Sequence, residues 1–220
     1  MSNINKEYIE DYIREVIPEN NEVFKEMEEY AKVNHIPIVH PEVAQFLKVM
    51  IKIKKPKKIL EIGCAIGYSA MIMADAMDYY GEVTSIERRK DMVDIAEGNI
   101  SKGDFQDIIH ILQGEAQDLL PNIDEKFDLV FIDAAKGKYM EFLPYCIRNL
   151  KDEGIIISDN VLFKGMVAND DLVVRRKKTI VRRMREYLDY ISNSGIFESS
   201  IMPLGDGVAI SYKRRTTDDE

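Results

Sequence analysis

The spacing of hydrophobic residues along this chain changes near residue 57. Before that point, apolar residues recur at helical spacing, which predicts helices over 4–17, 23–33 and 41–53. After it, short apolar runs alternate with helical spacing, a pattern typical of a parallel α/β sheet. The later helices are predicted over 68–77, 92–100, 138–150 and 172–192. The strands are predicted over 59–62, 82–87, 108–112, 127–132, 154–158, 197–202 and 208–212.

These elements predict one structural domain made of three segments. Residues 1–55 are expected to form a helical cover, residues 56–213 an α/β core, and residues 214–220 a disordered tail. The core is predicted to be Rossmann-like, with a seven-stranded, mostly parallel sheet and helices on both faces. The last two strands flank Gly205-Asp206-Gly207, which predicts a hairpin.

The turn after the first predicted strand carries the first chemical signal. Gly63 and Gly67 interrupt the run KKILEIGCAIGYSA, giving the strand–glycine–helix order of nucleotide-binding α/β folds. Ala65 and Tyr68 stand where a dinucleotide fingerprint needs glycine, which disfavours a nicotinamide cofactor. Glu61, at the strand end, favours a cationic ligand instead. S-adenosylmethionine, a sulfonium with an amino group, meets that demand; the alternative is an ordinary turn without a ligand.

Composition and charge narrow the class of protein. No apolar run approaches the roughly 20 residues that cross a bilayer, so no membrane partner is expected. The N-terminal residues carry acids and no apolar signal core, and Cys64 and Cys146 are typical of buried thiols in a reducing compartment. We therefore expect a cytoplasmic protein. The three histidines lack metal-ligand spacing, which argues against zinc.

Acidic and amide side chains follow most of the predicted parallel strands. Because ligands of such sheets gather at the carboxyl ends of the strands, these residues are expected to share one rim. They are Glu61, Glu87, Glu115, Asp133, Asp159 and Asn160. Helix N-capping could explain any single one of them, but explains the set poorly. Glu87 is placed to accept the ribose hydroxyls of an adenosine, and Glu115 to position the adenine.

Three residues of this rim predict a metal site. Asp133, Asp159 and Asn160 offer two carboxylates and an amide oxygen, which suit a hard divalent cation such as Mg²⁺. They converge if the fourth and fifth strands are neighbours, which lie roughly 5 Å apart in a sheet. Lys136 follows Asp133 closely enough to reach a substrate oxygen.

The motifs LEIGCAIGYSA, FIDAAKGKY and ISDNVLFKG resemble those of the cation-dependent O-methyltransferases, which include the catechol and caffeoyl-CoA enzymes. The likeness covers roughly 36–212. It implies Asp133, Asp159 and Asn160 as metal ligands, and Lys136, the catalytic lysine, together with Asp133 as the catalytic residues. It also implies S-adenosylmethionine bound by Val39, Glu61, Gly63, Tyr68, Ser69, Glu87, Gly114, Glu115, Ala116 and Asp133.

Within that group, DNVLFKGMVA, a basic helix and PLGDGVAIS are most similar to the bacterial tRNA 5-hydroxyuridine methyltransferases. The resemblance implies methylation of the 5-hydroxyl of the wobble uridine to 5-methoxyuridine, and a homodimer. One alternative is the same chemistry on a small catechol-like or hydroxylated aromatic molecule. Another is a non-catalytic RNA-binding protein on the same fold, and a nicotinamide oxidoreductase is more distant.

A basic segment bears on the tRNA hypothesis. The net charge of −9 argues against nucleic-acid binding by the chain as a whole, but RRKKTIVRRMR holds seven cations and no acid. These candidate phosphate contacts are Arg175, Arg176, Lys177, Lys178, Arg182, Arg183 and Arg185. The alternative is a solvated face opposite an apolar stripe. The segment has no interleaved aromatic residue, so base stacking on it is not indicated.

Overall fold

The computed structural model describes residues 4–215. Of the predicted tail, residues 216–220 lie outside the described range. The helices are α1 (Glu7–Val16), α2 (Glu22–Val33), α3 (Pro41–Lys54), α4 (Tyr68–Ala76), α5 (Lys90–Lys102), α6 (Ala116–Leu119), α7 (Tyr139–Asn149) and α8 (Lys178–Asn193). The strands are β1 (Lys58–Ile62), β2 (Glu82–Glu87), β3 (Ile109–Gln113), β4 (Phe127–Ile132), β5 (Leu150–Ser158), β6 (Phe197–Met202) and β7 (Val208–Lys213).

The strands form one seven-stranded sheet in the order β3-β2-β1-β4-β5-β7-β6. Strands β1 to β5 are parallel to one another, while β7 runs antiparallel to both of its neighbours, β5 and β6. The predicted α/β class, the mostly parallel sheet and the final hairpin are therefore confirmed. Strands β1 and β4 are almost entirely buried because helices cover both faces of the sheet, which explains their uninterrupted apolar runs.

Two hydrophobic clusters lie on opposite faces of the sheet. One joins α2, α3, α4 and α5 to the sheet, and the other joins α7 and α8 to its second face. The predicted cover is thus part of the core for α2 and α3. Helix α1 differs, because it buries none of its residues and is fastened by Arg14, whose guanidinium bonds Glu42 at 2.8 and 2.9 Å.

The order of the strands places a crevice at one point of the sheet. The chain proceeds outwards from β1 in one direction and from β4 in the other, so β1 and β4 are the neighbours at which the order reverses. Ligands of open α/β sheets bind outside the carboxyl ends of strands at such a point. Since β4 also pairs with β5, the condition for convergence of Asp133 and Asp159 is met.

The basic segment departs from the predicted continuous helix over 172–192. Helix α8 begins only at Lys178, and short 3-10 turns occupy Asp170–Leu172 and Arg175–Lys177. The two β-branched residues between these turns, Val173 and Val174, have extended backbones, and such residues lose side-chain freedom in a helix. Within 4–215, no helix is both long and apolar enough to cross a bilayer.

Candidate active site

A cavity of about 790 Å³ opens at the carboxyl ends of β1 to β4, beneath the loop 34–40. Nine of the ten residues predicted to hold the cofactor line it. These are Val39, Gly63, Tyr68, Ser69, Glu87, Gly114, Glu115, Ala116 and Asp133. The strand ends and the loops after them therefore bring together residues that are widely separated in the chain.

Gly63 shows why this rim requires a glycine. Its backbone has φ of +94°, and a Cβ there would lie 2.2 Å from the carbonyl oxygen of Asp133. No larger residue fits without separating the ends of β1 and β4. The next glycine, Gly67, also has a left-handed backbone, with φ of +82°, and immediately precedes α4. The two glycines thus turn the chain sharply from β1 into α4 above the crevice.

Glu87 is held by the backbone on both sides of its carboxylate. The amide of Ala65 donates to one oxygen at 3.0 Å, and the amide of Arg89 donates to the other at 2.9 Å. Glu87 is 9% exposed and lines the cavity, so the remaining lone pairs of its carboxylate are available to a ligand there. Two fixed acceptors on one edge match the vicinal hydroxyls of a ribose.

Glu61 occupies a different position from the one the sequence suggested. It is fully buried and does not line the cavity. Its oxygens accept hydrogen bonds from Ser69 and Ser85, each at 2.5 Å. Burial raises the pKa of Glu61 to about 7. Glu61 therefore lies behind Ser69, fixing the hydroxyl that does line the cavity.

Asp133, Asp159 and Asn160 follow the paired ends of β4 and β5, as predicted. The amide of Asp159 donates to the carbonyl oxygen of Ile132 at 2.9 Å, which ties the two strand ends together. Asp159 is fully buried, and its Oδ1 accepts from the amide of Asn160 at 2.7 Å. In the described part of the chain, its Oδ2 has no hydrogen-bond partner.

The electrostatics of this cluster favour a bound cation. Burial raises the pKa of both Asp133 and Asp159, and their mutual repulsion raises that of Asp159 further. Among residues 4–215, no group of three His, Cys, Asp or Glu side chains has metal-binding geometry, so a metal would need the amide oxygen of Asn160. Two acids, one of them with a buried and unpartnered oxygen, together with that amide, fit a hard divalent cation.

A second cavity, of about 760 Å³, adjoins the cluster. Its walls come from α1, from the loop after β5 and from the β6–β7 turn. His40, Lys136 and Asn160 line both cavities, so they stand where the two spaces meet. Lys136 donates a hydrogen bond from Nζ to Oδ1 of Asn160. A group carried in one cavity could therefore be passed to a molecule in the other beside Lys136.

The β6–β7 turn supports the loop that carries Asn160. Val161 and Leu162 donate backbone hydrogen bonds to the carbonyl oxygens of Gly207 and Asp206, at 2.9 and 3.0 Å. The Asp206 carboxylate also accepts from the amide of Lys164. A Cβ on Gly207 would lie 2.4 Å from Leu162, so this close approach requires glycine.

The supported loop is strained. Asn160, Phe163 and Lys164 all have left-handed backbones, with φ of +59°, +45° and +57°. Such conformations are uncommon outside glycine and occur often at functional sites. Sequence reasoning missed Phe163, Asp206 and His40 as site residues, because GDG predicted only a turn and His40 only precedes a helix. No spacing in the sequence indicated that these segments meet.

The seven cations of the basic segment do not share one environment. Arg182 pairs with Glu186, Arg183 with Glu141, and Arg185 with Asp170. The other four, Arg175, Arg176, Lys177 and Lys178, lie at or next to the 3-10 turn that precedes α8. The seven cations of this continuous segment therefore fall into three that form salt bridges and four that form none with the described residues.

Comparison with known proteins identifies a protein family that matches most of this chain. A family model described as O-methyltransferase matches residues 14–214. The chain is 30% identical over 217 residues to a caffeoyl-CoA O-methyltransferase of Populus kitakamiensis, covering 93% of this chain and 91% of the relative.

Solved structures agree with that match. A Staphylococcus aureus protein, provisionally named as a caffeoyl-CoA O-methyltransferase, has a TM-score of 0.88 and 32% identity, covering 94% of this chain and all of the other. An O-methyltransferase of Bacillus cereus in complex with SAH shares the fold, with a TM-score of 0.83 and 24% identity, covering 94% and 97%.

Proposed function

Because the chain belongs to the O-methyltransferase family, we propose that it transfers the methyl group of S-adenosylmethionine, assisted by Mg²⁺ or a similar cation, to the 5-hydroxyl of a tRNA uridine. The main structural support for methyl transfer is that two cavities meet at Lys136 and Asn160. One cavity has a ribose-type acceptor in Glu87, and the cluster beside the other has two acids, of which Asp159 is fully buried.

The larger cavity supports S-adenosylmethionine as the donor. Glu87 presents fixed acceptors for ribose hydroxyls, and Gly114–Ala116 lines the adjoining wall. The Bacillus cereus relative of the same fold is named as a complex with SAH, the demethylated form of that donor. When bound, S-adenosylmethionine supplies an electrophilic methyl group. The role of this chain is to hold the donor so that the methyl points towards the second cavity.

The acid cluster supports a divalent cation. Asp133, Asp159 and Asn160 would hold it. When bound, the cation would coordinate two vicinal oxygens of the acceptor and lower the pKa of its hydroxyl. Lys136 stands beside this cluster and lines the second cavity, so its amine is the candidate base for the hydroxyl proton. His40 and Phe163 bound the space in which the acceptor ring would lie.

The acceptor is inferred from three supports. A 5-hydroxyuridine presents vicinal oxygens, the 5-hydroxyl and the 4-carbonyl, which meet the same demand as a catechol. The segments 159–168 and 203–211 resemble the tRNA 5-hydroxyuridine enzymes. Four consecutive cations make no salt bridge among the described residues, and one of them, Lys177, lies 5.6 Å from the ring of Phe163 in the second cavity. The second candidate is a small catechol-like acceptor, which the similarity to the Populus enzyme favours.

Direct assay separates these acceptors. Purified protein with S-adenosylmethionine and Mg²⁺ would be offered tRNA bearing 5-hydroxyuridine, the free nucleoside, and catechol, with products identified by mass spectrometry. We expect 5-methoxyuridine in the tRNA, and its loss from tRNA of cells lacking the gene. Methylation of catechol alone would establish the second candidate. SAH binding without turnover of any acceptor would favour the RNA-binding alternative.

A further inference from the structure

The cations of the basic segment fall into two sets with different partners. In the first set, Arg182 bonds Glu186 at 3.0 Å, while Arg183 bonds Glu141 at 3.1 Å and the carbonyl oxygen of Gly137 at 2.9 Å. Arg185 bonds Asp170 at 2.7 Å and the carbonyl oxygen of Val167 at 2.9 Å. Arg183 and Arg185 thus fasten α8 to the structure around it, while Arg182 pairs within α8 itself.

The second set consists of four consecutive cations, which we name the basic ridge: Arg175, Arg176, Lys177 and Lys178. Arg175, Arg176 and Lys178 are exposed. None of the four has an acidic partner within the described residues. Consecutive like charges without acids repel one another, so the ridge is arranged to meet an external anion.

Phe163 connects the ridge to the active site. The ammonium of Lys177 lies 5.6 Å from the centroid of the Phe163 ring, and the ammonium of Lys136 lies 5.7 Å from the same centroid. Both ammonium groups therefore lie next to the same aromatic ring. The ring is nearly buried and lines the second cavity. The ridge thus stands beside the place where a methyl group would be transferred.

We propose that the basic ridge binds the phosphodiester backbone next to the nucleotide whose base enters the second cavity. This inference rests on the proposed function, since it takes the acceptor to be RNA. The separation across one aromatic ring suits a base and its own flanking phosphates, which belong to the same nucleotide step. Arginine forks and lysine ammonium groups both bind phosphate oxygens without reading sequence. Binding at the ridge would also orient the RNA on a chain whose net charge is −9.

The test compares two triple variants with the same change in charge. The first replaces Arg175, Arg176 and Lys178 with Ala. The matched control replaces Lys52, Lys57 and Lys126, which are exposed near the amino ends of strands β1 and β4, at the opposite edge of the sheet. Binding of a fluorescent RNA stem-loop would be followed by anisotropy over a series of salt concentrations. This readout needs neither S-adenosylmethionine nor methylation.

For the ridge variant we expect a Kd for RNA at least about tenfold higher than that of the parent at low salt. The slope of log K against log salt should fall by about 0.7 to 0.9 for each phosphate that the variant no longer neutralises. The control variant should keep the parental Kd and slope. A ridge variant with parental Kd and slope would overturn the proposal, as would equal losses in both variants.

Two further results separate this inference from the proposed function. If RNA binding depends on the ridge but the parent does not methylate 5-hydroxyuridine in tRNA, the ridge stands and the proposed reaction fails. Coenzyme A would be titrated as a competing phosphate ligand. If the ridge variant lost affinity for coenzyme A while binding RNA like the parent, the ridge would serve an acyl-CoA acceptor, and the RNA proposal would be overturned.

Discussion

The ammonium group of Lys136 donates a hydrogen bond to the side-chain oxygen of Asn160, although the two residues follow different strands of the sheet. Lys136 comes after β4 and Asn160 after β5, and both line the two adjoining cavities. The bond places an amine beside the acid cluster at the point where donor and acceptor would meet. The candidate base and the candidate cation site are therefore adjacent.

For Lys136→Ala, we expect turnover to fall by about a hundredfold or more, with SAH affinity nearly unchanged, because the amine is the candidate base. The loss should shrink as pH rises, since hydroxide can take over proton removal. The measurement is kcat across a pH series, with SAH binding by calorimetry. Lys126→Ala, at an exposed site near the start of β4, is the matched control. A loss that does not vary with pH would reduce Lys136 to a positioning residue.

Asp159→Asn tests the proposed metal site without an activity assay. Mg²⁺ should stabilise the parent protein against unfolding, by about 2.7 kcal/mol at a hundredfold excess over its Kd. The variant should lose that response, because the change removes the negative charge and replaces one carboxylate oxygen by an NH2 group, which donates hydrogen bonds and does not bind a cation. Thermal unfolding with and without MgCl₂ measures it, and the exposed Asp189→Asn serves as control. A variant stabilised as much as the parent would refute the assignment.

Glu87→Gln should weaken SAH binding by roughly ten- to a hundredfold. The change removes the charge of a carboxylate that faces the cavity, and hydrogen bonds to charged groups are worth roughly 1.5–3 kcal/mol. Calorimetric titration of SAH measures the effect. Glu97→Gln, on the exposed side of α5, should bind like the parent. Equal affinities for all three proteins would remove Glu87 from the cofactor site.

Glu61 predicts a pH dependence of stability. Its pKa of about 7 lies above the ordinary glutamate value of 4.5, so the folded protein holds this proton more tightly than the unfolded chain. The associated stability is complete below about pH 4.5 and is lost as pH rises through about 7. Its size is up to about 3 kcal/mol for the fully buried carboxyl.

In metal-free protein, Glu61→Gln should remove that contribution while other groups keep theirs. The free energy of unfolding by urea would be measured at about pH 5 and about pH 8 for parent and variant. The fall between the two pH values should be smaller in the variant. The same fall in both proteins would show that burial of Glu61 does not set this dependence.

Asp206 is predicted to position the loop after β5, which carries Asn160 and Phe163. Asp206→Ala removes the acceptor for the Lys164 amide, so the strained segment containing Asn160 and Phe163 should relax. We expect a higher KM for the acceptor with SAH affinity retained, and recovery in Asp206→Asn, which keeps an acceptor oxygen. Steady-state kinetics with both variants measures this. If the acceptor KM of Asp206→Asn is as high as that of Asp206→Ala, the charge of the carboxylate positions the loop and the hydrogen bond does not.

The hydrophobic pattern of the chain predicted the α/β class and most strand positions, because buried parallel strands need unbroken apolar runs such as Phe127–Ile132. It also indicated that Asp133 and Asp159 would converge, because carboxyl ends of parallel strands share one edge. That inference required only β4 and β5 to be neighbours, as they are. Local pattern and topology were sufficient for these features.

The other residues around that edge are brought there by packing between segments that are far apart in the chain. The turn containing Asp206 reaches the loop after β5 because β7 pairs with β5, a contact between segments far apart in the chain. The same holds for Phe163 between Lys136 and Lys177, and for the salt bridges that pair Arg183 with Glu141 and Arg185 with Asp170. Charge and periodicity are properties of single segments, whereas partners are set by packing between segments. The sequence therefore predicted which strand ends would carry the candidate site. Packing between segments determines which other side chains lie beside it.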